Sequence, residues 1–567
     1  MFLSCKTSNL GYNKKKRFFV RNKRMRKRKT KNNKNRSLQR IASNALRASV
    51  LLLKVEPTGH RRGKQIQAVK VAAGSGFFVA PNLIATNIHC VVGTTTTLVE
   101  PVNLRVPYPV TDVVAFDDKA DLVILQISTE GIPLPLADSD TVKEGEPVYA
   151  VRCTGGGIEE RGARGAVTEA TVHGIRSSDA HLRLKTVLSA GNSGGPIINR
   201  AGEVIGVAVA GSSSPTETGV NTPREFAYAI PSNAVKALLS EVGAVEPLET
   251  WKQRPRIRAY DEASHGYLKQ KEKKYEAAIK HYTDALQLNP DLVEAYHNRG
   301  ALQNLLGHPE RAIADWDAAL ARNPDFTEAY FNRGTAKTTL GDCEGGIADC
   351  STAIERNPDA APAYYNRAQA RMELKQYTEG IEDYDKALSI GLSDADSYGA
   401  YYNRALAKYL LGLDKAAQGD ETEATRLYHA AIPDYTKAIQ VAPDPNLASR
   451  NYNNRGYAKY LIAEYESADG NMEAARELYE AAMDDSEAAI KHDRRNAYAY
   501  CTRAVTKIAF DAHSEAIKDF DTAIKLKPDF AHAYHQRGLA KQALGRQKEA
   551  DTDFAKAKEI DPDFESK

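Results

Sequence analysis

A 34-residue period runs through the C-terminal half of this chain of 567 residues. Arginine recurs at or near this step, and each recurring arginine follows a tyrosine by three residues. A helix pair of this size is too small to bury its apolar face alone, so the period predicts pairs that stack on one another. The recurring arginines are Arg299, Arg333, Arg367, Arg404, Arg455, Arg503 and Arg537.

The repeated unit has a fixed order of motifs. A-Y-x-N-R-G lies in the first helix, A-I-x-x-Y in the second, and N-P-D closes the unit. This order resembles tetratricopeptide repeats (TPR). The resemblance implies an all-α superhelical solenoid over residues 258–564 whose groove binds extended peptides or partner proteins. We count eight repeats, which start near residues 258, 292, 326, 360, 398, 449, 496 and 530.

Two intervals between these arginines exceed the period. The step from Arg404 to Arg455 is 51 residues, and the step from Arg455 to Arg503 is 48. We therefore expect extended helices or a projecting loop around Gly412–Tyr428 and Tyr465–Tyr479. Either feature would reshape the groove.

Asparagine recurs at one position of the predicted inner helices. Two interpretations are open: these side chains hydrogen-bond a peptide in the groove, or they have structural roles within the repeat. The four candidates are Asn298, Asn332, Asn366 and Asn403.

The N-terminal half contains short apolar or alternating runs separated by Gly, Pro, Asp and Asn. Runs of this kind predict the strands of an antiparallel barrel or sandwich over residues 46–243. Ser232 is expected to cap one closing helix. The predicted strands are Ser49–Val55, Gln67–Val71, Phe77–Ala80, Leu83–Thr86, Val113–Phe116, Leu122–Ile127, Pro147–Cys153, Leu182–Leu188 and Val204–Ala210.

Three residues of this half can form a nucleophilic site. Ser193 stands in Gly191-Asn192-Ser193-Gly194-Gly195, and flanking glycines permit the sharp turn that exposes a serine hydroxyl. A serine attacks a carbonyl only when a base takes its proton, and His89 ends an apolar strand upstream. Asp121 opens another apolar strand, where a carboxylate needs a partner such as an imidazole. The order His, Asp, Ser is one of three known orders for such triads.

The motifs around these residues resemble the trypsin-like serine peptidases of the HtrA (Deg) type, over residues 48–243. They are TNIHCV, ADLVILQI and GNSGGPIIN. The resemblance implies an all-β, chymotrypsin-like double β-barrel with the active site between the barrels. It also implies that His89 is the general base, that Asp121 orients it, and that Ser193 forms the acyl-enzyme. The backbone N–H groups of Gly191 and Ser193 would then make the oxyanion hole.

By the same resemblance, the substrate pocket has Val187 as its floor and walls at Ala208, Val209 and Ala210. None of these residues is acidic. We therefore expect cleavage after small or medium apolar residues. No cofactor and no metal is expected in this mechanism.

Two functional hypotheses follow. In the first, the chain is a serine endopeptidase whose repeats recruit polypeptide substrates, protein partners or sister subunits of a homo-oligomer. In the second, the repeats are a scaffold or holdase and the peptidase domain is vestigial. Residues 244–257 are expected to link the two parts.

The first 45 residues form a basic segment. Residues 1–55 hold 18 Lys or Arg and no acidic residue, while the rest of the chain holds 59 basic and 73 acidic residues. We expect residues 1–45 to be disordered. Such a segment can contact nucleic acid or anionic lipid, can be a targeting segment, or is a plain solvated tail; translation starting at Met25 or later is a further interpretation.

Compartment and metal binding are constrained by the cysteines and by hydropathy. The six cysteines are scattered without a C-x-x-C motif, so neither a zinc site nor a disulfide framework is indicated. This favours a reducing compartment such as the cytoplasm. The sequence contains no run of 18 apolar residues, so no membrane-spanning helix is predicted, and no signal peptide is apparent.

Overall fold

The computed structural model describes most of the chain beyond the basic segment. The described residues form two compact units. The first unit contains the described residues up to 302 and also residues 321–325, and the second unit contains the remaining repeats. The disorder expected for residues 1–38 lies outside the described residues. The described residues are 39–62, 65–93, 96–104, 106–153, 165–175, 181–186, 188, 190–209 and 226–562.

Six antiparallel strands close the first barrel. They follow the order β5-β4-β1-β2-β3-β6, and β6 pairs with β5 to complete the ring. The strands are β1 (Ser49–Arg62), β2 (Gln65–Ala80), β3 (Leu83–Asn87), β4 (Thr97–Pro101), β5 (Tyr108–Asp117) and β6 (Leu122–Ile127).

Six further strands form the second closed barrel, in the order β10-β11-β12-β9-β8-β7. Two six-stranded barrels in series confirm the predicted chymotrypsin-like fold. The strands are β7 (Pro147–Cys153), β8 (Gly165–Ile175), β9 (Leu182–Lys185), β10 (Pro196–Ile198), β11 (Val204–Val209) and β12 (Phe226–Pro231).

A shared apolar cluster joins the two barrels. Phe77 and Ile124 of the first barrel pack in it with Val151 and Ile230 of the second. Ala45 also belongs to this cluster, because residues 39–47 form a helix, α1. The disorder predicted for residues 1–45 is therefore wrong for residues 39–45. This shared packing holds the two barrels in a fixed arrangement, and with them the loops that lie between the barrels.

The segment expected to be a linker is folded onto the first barrel. Strand β13 (Glu246–Pro247) pairs with β5, and helix α3 (Leu248–Trp251) follows it directly. Trp251 is fully buried in the core of the barrel and meets Phe116 edge-to-face at 5.8 Å. Before this segment, helix α2 (Ser232–Ser240) begins at Ser232, so the predicted cap is wrong; the Ser232 hydroxyl donates to the carbonyl of Ala137 (2.8 Å).

Sixteen described helices follow as eight consecutive pairs, which confirms the predicted all-α repeat region. They are α4 (Pro255–Lys271), α5 (Tyr275–Leu288), α6 (Val293–Leu305), α7 (Pro309–Arg322), α8 (Thr327–Thr339), α9 (Cys343–Arg356), α10 (Ala361–Glu373), α11 (Tyr377–Ile390), α12 (Asp394–Ala417), α13 (Glu421–Gln440), α14 (Pro445–Ala468), α15 (Met472–His492), α16 (Ala497–Ala509), α17 (His513–Leu526), α18 (Ala531–Ala543) and α19 (Gln547–Ile560). No helix of the described residues has the length and apolar character needed to span a membrane.

The recurring arginines hold each repeat together. Each guanidinium lies 5.3–5.7 Å from the ring of the tyrosine three residues earlier, a cation–π contact that accounts for the spacing. From Arg333 on, each arginine also donates two hydrogen bonds to a buried aspartate of the next helix. The pairs are Arg333–Asp349, Arg367–Asp383, Arg404–Asp434, Arg455–Asp485, Arg503–Asp519 and Arg537–Asp553.

The two long intervals are extended helices, and the alternative of a projecting loop is wrong. Helices α12 and α14 have 24 residues each, against 13 in α8. The arginine and aspartate are 30 residues apart in Arg404–Asp434 and 16 apart in Arg333–Asp349. The longer pair therefore has 14 additional residues between its arginine and its aspartate (30 minus 16), seven in each helix. Seven residues are about two helical turns, so the two side chains still face each other.

Candidate active site

A short 3-10 helix, Ile88–Cys90, places His89 at the end of β3. The Nδ1 atom of His89 lies 2.5 Å from Oδ2 of Asp121, and the backbone N–H of His89 donates to Oδ1 of the same carboxylate (3.1 Å). One carboxylate therefore orients both the ring and the backbone of His89. With Nδ1 donating to Asp121, the Nε2 atom carries the lone pair that a general base needs.

The backbone of Asp121 is held in an uncommon conformation. Its φ is +56°, which costs a non-glycine residue about 1 kcal/mol or more. Two groups hold its carbonyl: the Asn87 side-chain amide donates at 3.0 Å and the N–H of Ile88 donates at 3.2 Å. These bonds fix the carboxylate relative to the segment that carries His89.

The carboxylate also changes the basicity of the imidazole. Burial is the largest single effect and acts to lower the pKa of His89, but the charge and hydrogen bond of Asp121, together with those of Cys90, outweigh burial and raise that pKa well above its usual value of 6.5. A base of this kind holds a proton taken from a serine hydroxyl more firmly than an isolated histidine does.

Ser193 lies in the loop before β10 and is 2% exposed. Its carbonyl accepts the N–H of Ser75 (2.8 Å) and lies 3.6 Å from the thiol of Cys90, the neighbour of His89. The chain thus brings the Ser193 loop against the segment that carries His89. Gly194 has φ +77°, and a Cβ there would lie 2.1 Å from Oγ1 of Thr86, so glycine is required for this approach.

The predicted oxyanion hole falls in a turn. Residues Ala190–Asn192 form a 3-10 helix, and the carbonyl of Gly191 accepts the hydroxyl of Ser75 (2.8 Å). Ser193 follows this turn directly, so the turn sets the orientation of the two backbone N–H groups of the predicted oxyanion hole.

Ser75 is a structural contributor to the site that the sequence analysis missed. Its hydroxyl donates to Gly191 and accepts the N–H of Cys153 (2.9 Å), while its own N–H holds Ser193. A single residue of the first barrel thus binds the serine loop and a strand of the second. In the sequence, the only indication of this role is the position of Ser75 between Gly74 and Gly76.

Helix α4 also reaches the site, which the sequence did not indicate. The hydroxyl of Tyr260 donates to the carbonyl of Asp118 (2.5 Å), and Arg256 donates to the Asp118 carboxylate (2.9 Å). Asp118 belongs to the turn that leads into Asp121. The first helix of the repeats therefore braces the loop that carries a candidate catalytic residue.

The four predicted pocket residues are only partly described. Ala208 is buried, and Val209 is half-buried beside it in β11. The backbone of Ala208 bonds the serine loop in both directions, since its carbonyl accepts the N–H of Gly194 (2.9 Å) and its N–H donates to Gly195 (2.8 Å). The predicted roles of Val187 and Ala210 lie outside the described residues.

The four predicted groove asparagines are set into the repeats. Asn298 and Asn366 are 9% and 6% exposed, while Asn332 and Asn403 are half-buried. Burial raises the pKa of Tyr282 in the preceding helix, and a hydrogen bond with Asn298 opposes this rise. At Asn298 and Asn366 these facts favour the structural interpretation over contact with a bound peptide.

Comparison with protein families gives two kinds of match. Residues 74–207 match the trypsin-like peptidase domain. Tetratricopeptide repeat families match residues 266–307, 306–342, 333–400 and 531–564.

Individual relatives match the N-terminal half. The mitochondrial serine protease HTRA2 of Drosophila pseudoobscura pseudoobscura is 32% identical over 201 residues, which are 34% of this chain and 44% of that protein. A probable periplasmic DegP-like serine endoprotease of Rickettsia prowazekii is 30% identical over 183 residues, 30% of this chain and 34% of that protein. The chain thus spans less than half the length of these relatives. The solved structure of the HtrA-type protease AlgW with a decapeptide matches at 20% identity over 35% of this chain and 66% of that one, with a TM-score of 0.30.

Proposed function

We propose that this chain, in which a trypsin-like peptidase domain with HtrA homologues is followed by tetratricopeptide repeats, is a serine endopeptidase. The observation that carries the proposal is the contact of 2.5 Å between His89 and Asp121. A half-buried carboxylate that orients a histidine, next to a loop with a glycine-flanked serine, is the arrangement that acyl transfer needs. Reaction with a fluorophosphonate probe, which phosphonylates an activated serine with loss of fluoride, tests the proposal directly.

The proposed reaction uses the three side chains in sequence. Nε2 of His89 takes the proton of the Ser193 hydroxyl as Oγ attacks the carbonyl carbon of the substrate. The amine then leaves with that proton, and an acyl-enzyme remains on Ser193. Water, deprotonated by His89, attacks the ester; His89 then returns the proton to Oγ of Ser193 as the acyl–oxygen bond breaks and the acid is released. Asp121 accepts the Nδ1–H throughout and stabilises the imidazolium.

One observation favours a second candidate, a scaffold with a silent peptidase domain. Gly191 of the predicted oxyanion hole lies in the 3-10 helix Ala190–Asn192, and its carbonyl is held by the Ser75 hydroxyl (2.8 Å). If this turn keeps the two N–H groups of the hole from binding an oxyanion, the repeats are the function and partner binding does not depend on Ser193. Failure of the full chain to react with the probe under any condition would support this candidate.

The repeats are proposed to recruit polypeptide substrates, partner proteins or sister subunits. Tetratricopeptide repeats generally bind proteins, and a peptidase acts on polypeptides. An array of eight helix pairs gives an extended binding surface whose contacts add to those of the cleft.

We expect the peptidase to cleave after small or medium apolar residues. Ala208 and Val209 carry no charge, and the same holds for Val187 and Ala210 in the sequence. A buried acid would be needed to bind Lys or Arg at this position. A peptide library that varies the residue before the cleaved bond measures this preference, and efficient cleavage after Arg would contradict the pocket assignment.

The rate should depend on pH through His89. Only the neutral imidazole can take the serine proton, so kcat/KM should rise as His89 loses its proton. Since the pKa of His89 is raised, the midpoint of this rise should lie above pH 6.5. In Asp121→Asn the midpoint should move to lower pH, and kcat should fall by about 10⁴-fold.

The matched control for this pH profile is Asp140→Asn, because Asp140 is an exposed carboxylate in the 3-10 helix Ser139–Thr141, before the second barrel begins. It should leave both the midpoint and the rate unchanged. If the rise of kcat/KM in the unmodified chain has its midpoint at or below pH 6.5, Asp121 does not raise the pKa of His89 during turnover.

A further inference from the structure

The long helices of the fifth and sixth repeats form a cavity of about 410 Å³. Its walls come from α14, from α16 and α18, and from the first residue of α13. Glu421, Glu464 and Tyr465 lie in the turns that these long helices have beyond the ordinary repeat. The additional turns of these two repeats thus supply part of the cavity wall. Its volume is within the range of small ligand sites, about 300–1,000 Å³.

Aromatic rings form one side of this cavity. Tyr457 and Tyr460 stack with ring centroids 5.8 Å apart, and Tyr465 stacks on Tyr428 at 6.4 Å. Tyrosine faces carry partial negative charge and attract cations. The rings are held by packing, since Tyr428 is fully buried behind them.

Two carboxylates supply formal negative charge. Glu421 and Glu464 line the cavity and are exposed to solvent. Glu464 is held in place because its Oε1 accepts the hydroxyl of Tyr479 at 2.6 Å. A carboxylate fixed beside tyrosine rings needs little rearrangement to bind a cation.

No fixed positive charge balances these carboxylates among the described residues that line the cavity. The nearby cations Lys459 and Lys507 each bind a buried aspartate at 2.7 Å. The remaining titratable group of the lining is His532, whose pKa burial lowers to about 4, so it is neutral at pH 7.

We propose that this cavity, the Tyr–Glu cavity, binds a Lys or Arg side chain of a peptide segment. The ammonium or guanidinium group would lie between the tyrosine faces and Glu464, and the aliphatic stem would contact Leu461 and Val505. This inference rests on the proposed function, because it names the chemistry of the partner that the repeats recruit.

The test is peptide binding to the full chain carrying Ser193→Ala, so that the peptide is not cleaved. The probe is a fluorescein-labelled dodecapeptide of Gly and Ser with three Arg, and its comparison peptide has citrulline in place of each Arg. Citrulline has nearly the same shape without the charge. Fluorescence anisotropy should show about tenfold tighter binding of the arginine peptide, weakening as salt rises.

Two variants of the cavity should weaken this binding about fivefold. Glu464→Gln removes the charge but keeps an acceptor for Tyr479, and Tyr460→Leu removes an aromatic face but keeps apolar bulk. The control is Glu473→Gln, which removes an exposed charge of α15 outside the cavity and should change affinity less than twofold.

Equal affinity for the citrulline peptide would overturn the inference, as would binding that Glu464→Gln leaves unchanged. So would an equal loss in Glu473→Gln, because it would indicate a diffuse electrostatic attraction without a site. Since Ser193 is absent from this experiment, its failure leaves the peptidase proposal intact, and the probe reaction of the unmodified chain tests that proposal separately.

Discussion

Replacing Ser193 with alanine is expected to abolish reaction with a fluorophosphonate and to lower the rate of casein cleavage by a factor on the order of 10⁶. Alanine lacks the oxygen that forms the acyl-enzyme, so neither the covalent step nor its transition state is available. The side chain is small and Ser193 is buried, hence the backbone of the loop should be preserved. The loss of labelling and cleavage would therefore result from the missing nucleophile and not from unfolding.

The control for this substitution is Ser240→Ala, an exposed serine at the end of α2, which should leave labelling and cleavage unchanged. Casein cleavage that persists in Ser193→Ala would assign the activity to another residue or to a contaminant. An unmodified chain that neither labels nor cleaves would favour the scaffold function.

Trp251→Ala is expected to unfold the peptidase domain or lower its melting temperature by about 10 °C. Removing a fully buried tryptophan leaves a large cavity and typically costs about 3–5 kcal/mol, against a total stability of about 5–15 kcal/mol. Trp251 shares its apolar cluster with Ile88 and Cys90, which flank His89. Calorimetry would measure the stability, and the rate of probe labelling would measure the effect on the site.

Trp316→Ala is a matched control, since Trp316 is the other tryptophan and is 1% exposed in a helix of the repeats. It should destabilise the repeats by a similar free energy and leave the rate of probe labelling within about twofold. Equal labelling of both variants and of the unmodified chain would show that the segment after α2 is dispensable for the site. A chain ending at residue 243, which lacks Trp251, should behave like Trp251→Ala.

The nine predicted runs fall in eight strands, because Gln67–Val71 and Phe77–Ala80 are both part of β2. These runs were recognisable because their side chains alternate between core and solvent or are buried on both faces. Strands β4, β8, β10, β12 and β13 were missed; β4 and β10 are short and contain proline. Their pairing with neighbours, which the sequence does not contain locally, holds them in the barrels. Tertiary contacts therefore determine those strands that local sequence propensity does not predict.

The candidate site was predictable where chemistry depends on residue type. His89 and Asp121 were paired from motif order, and the structure places them in contact. Ser75 and Tyr260 were not predictable, because each acts through hydrogen bonds to backbone groups distant in sequence. Any hydroxyl could fill such a role, so no sequence pattern marks it.

The equal lengthening of both helices in the long repeats limits how this array can change over evolutionary time. An insertion confined to one helix would shift its arginine or aspartate along the helix axis, by about 1.5 Å per residue, away from the partner, and an insertion other than a whole number of turns would also rotate it away. Paired insertions of equal length that add whole turns, such as the seven residues in each helix here, leave the ion pair in register. Repeat length in this family of hairpins should thus evolve in discrete steps, and a long hairpin should be transplantable into an ordinary repeat as a unit.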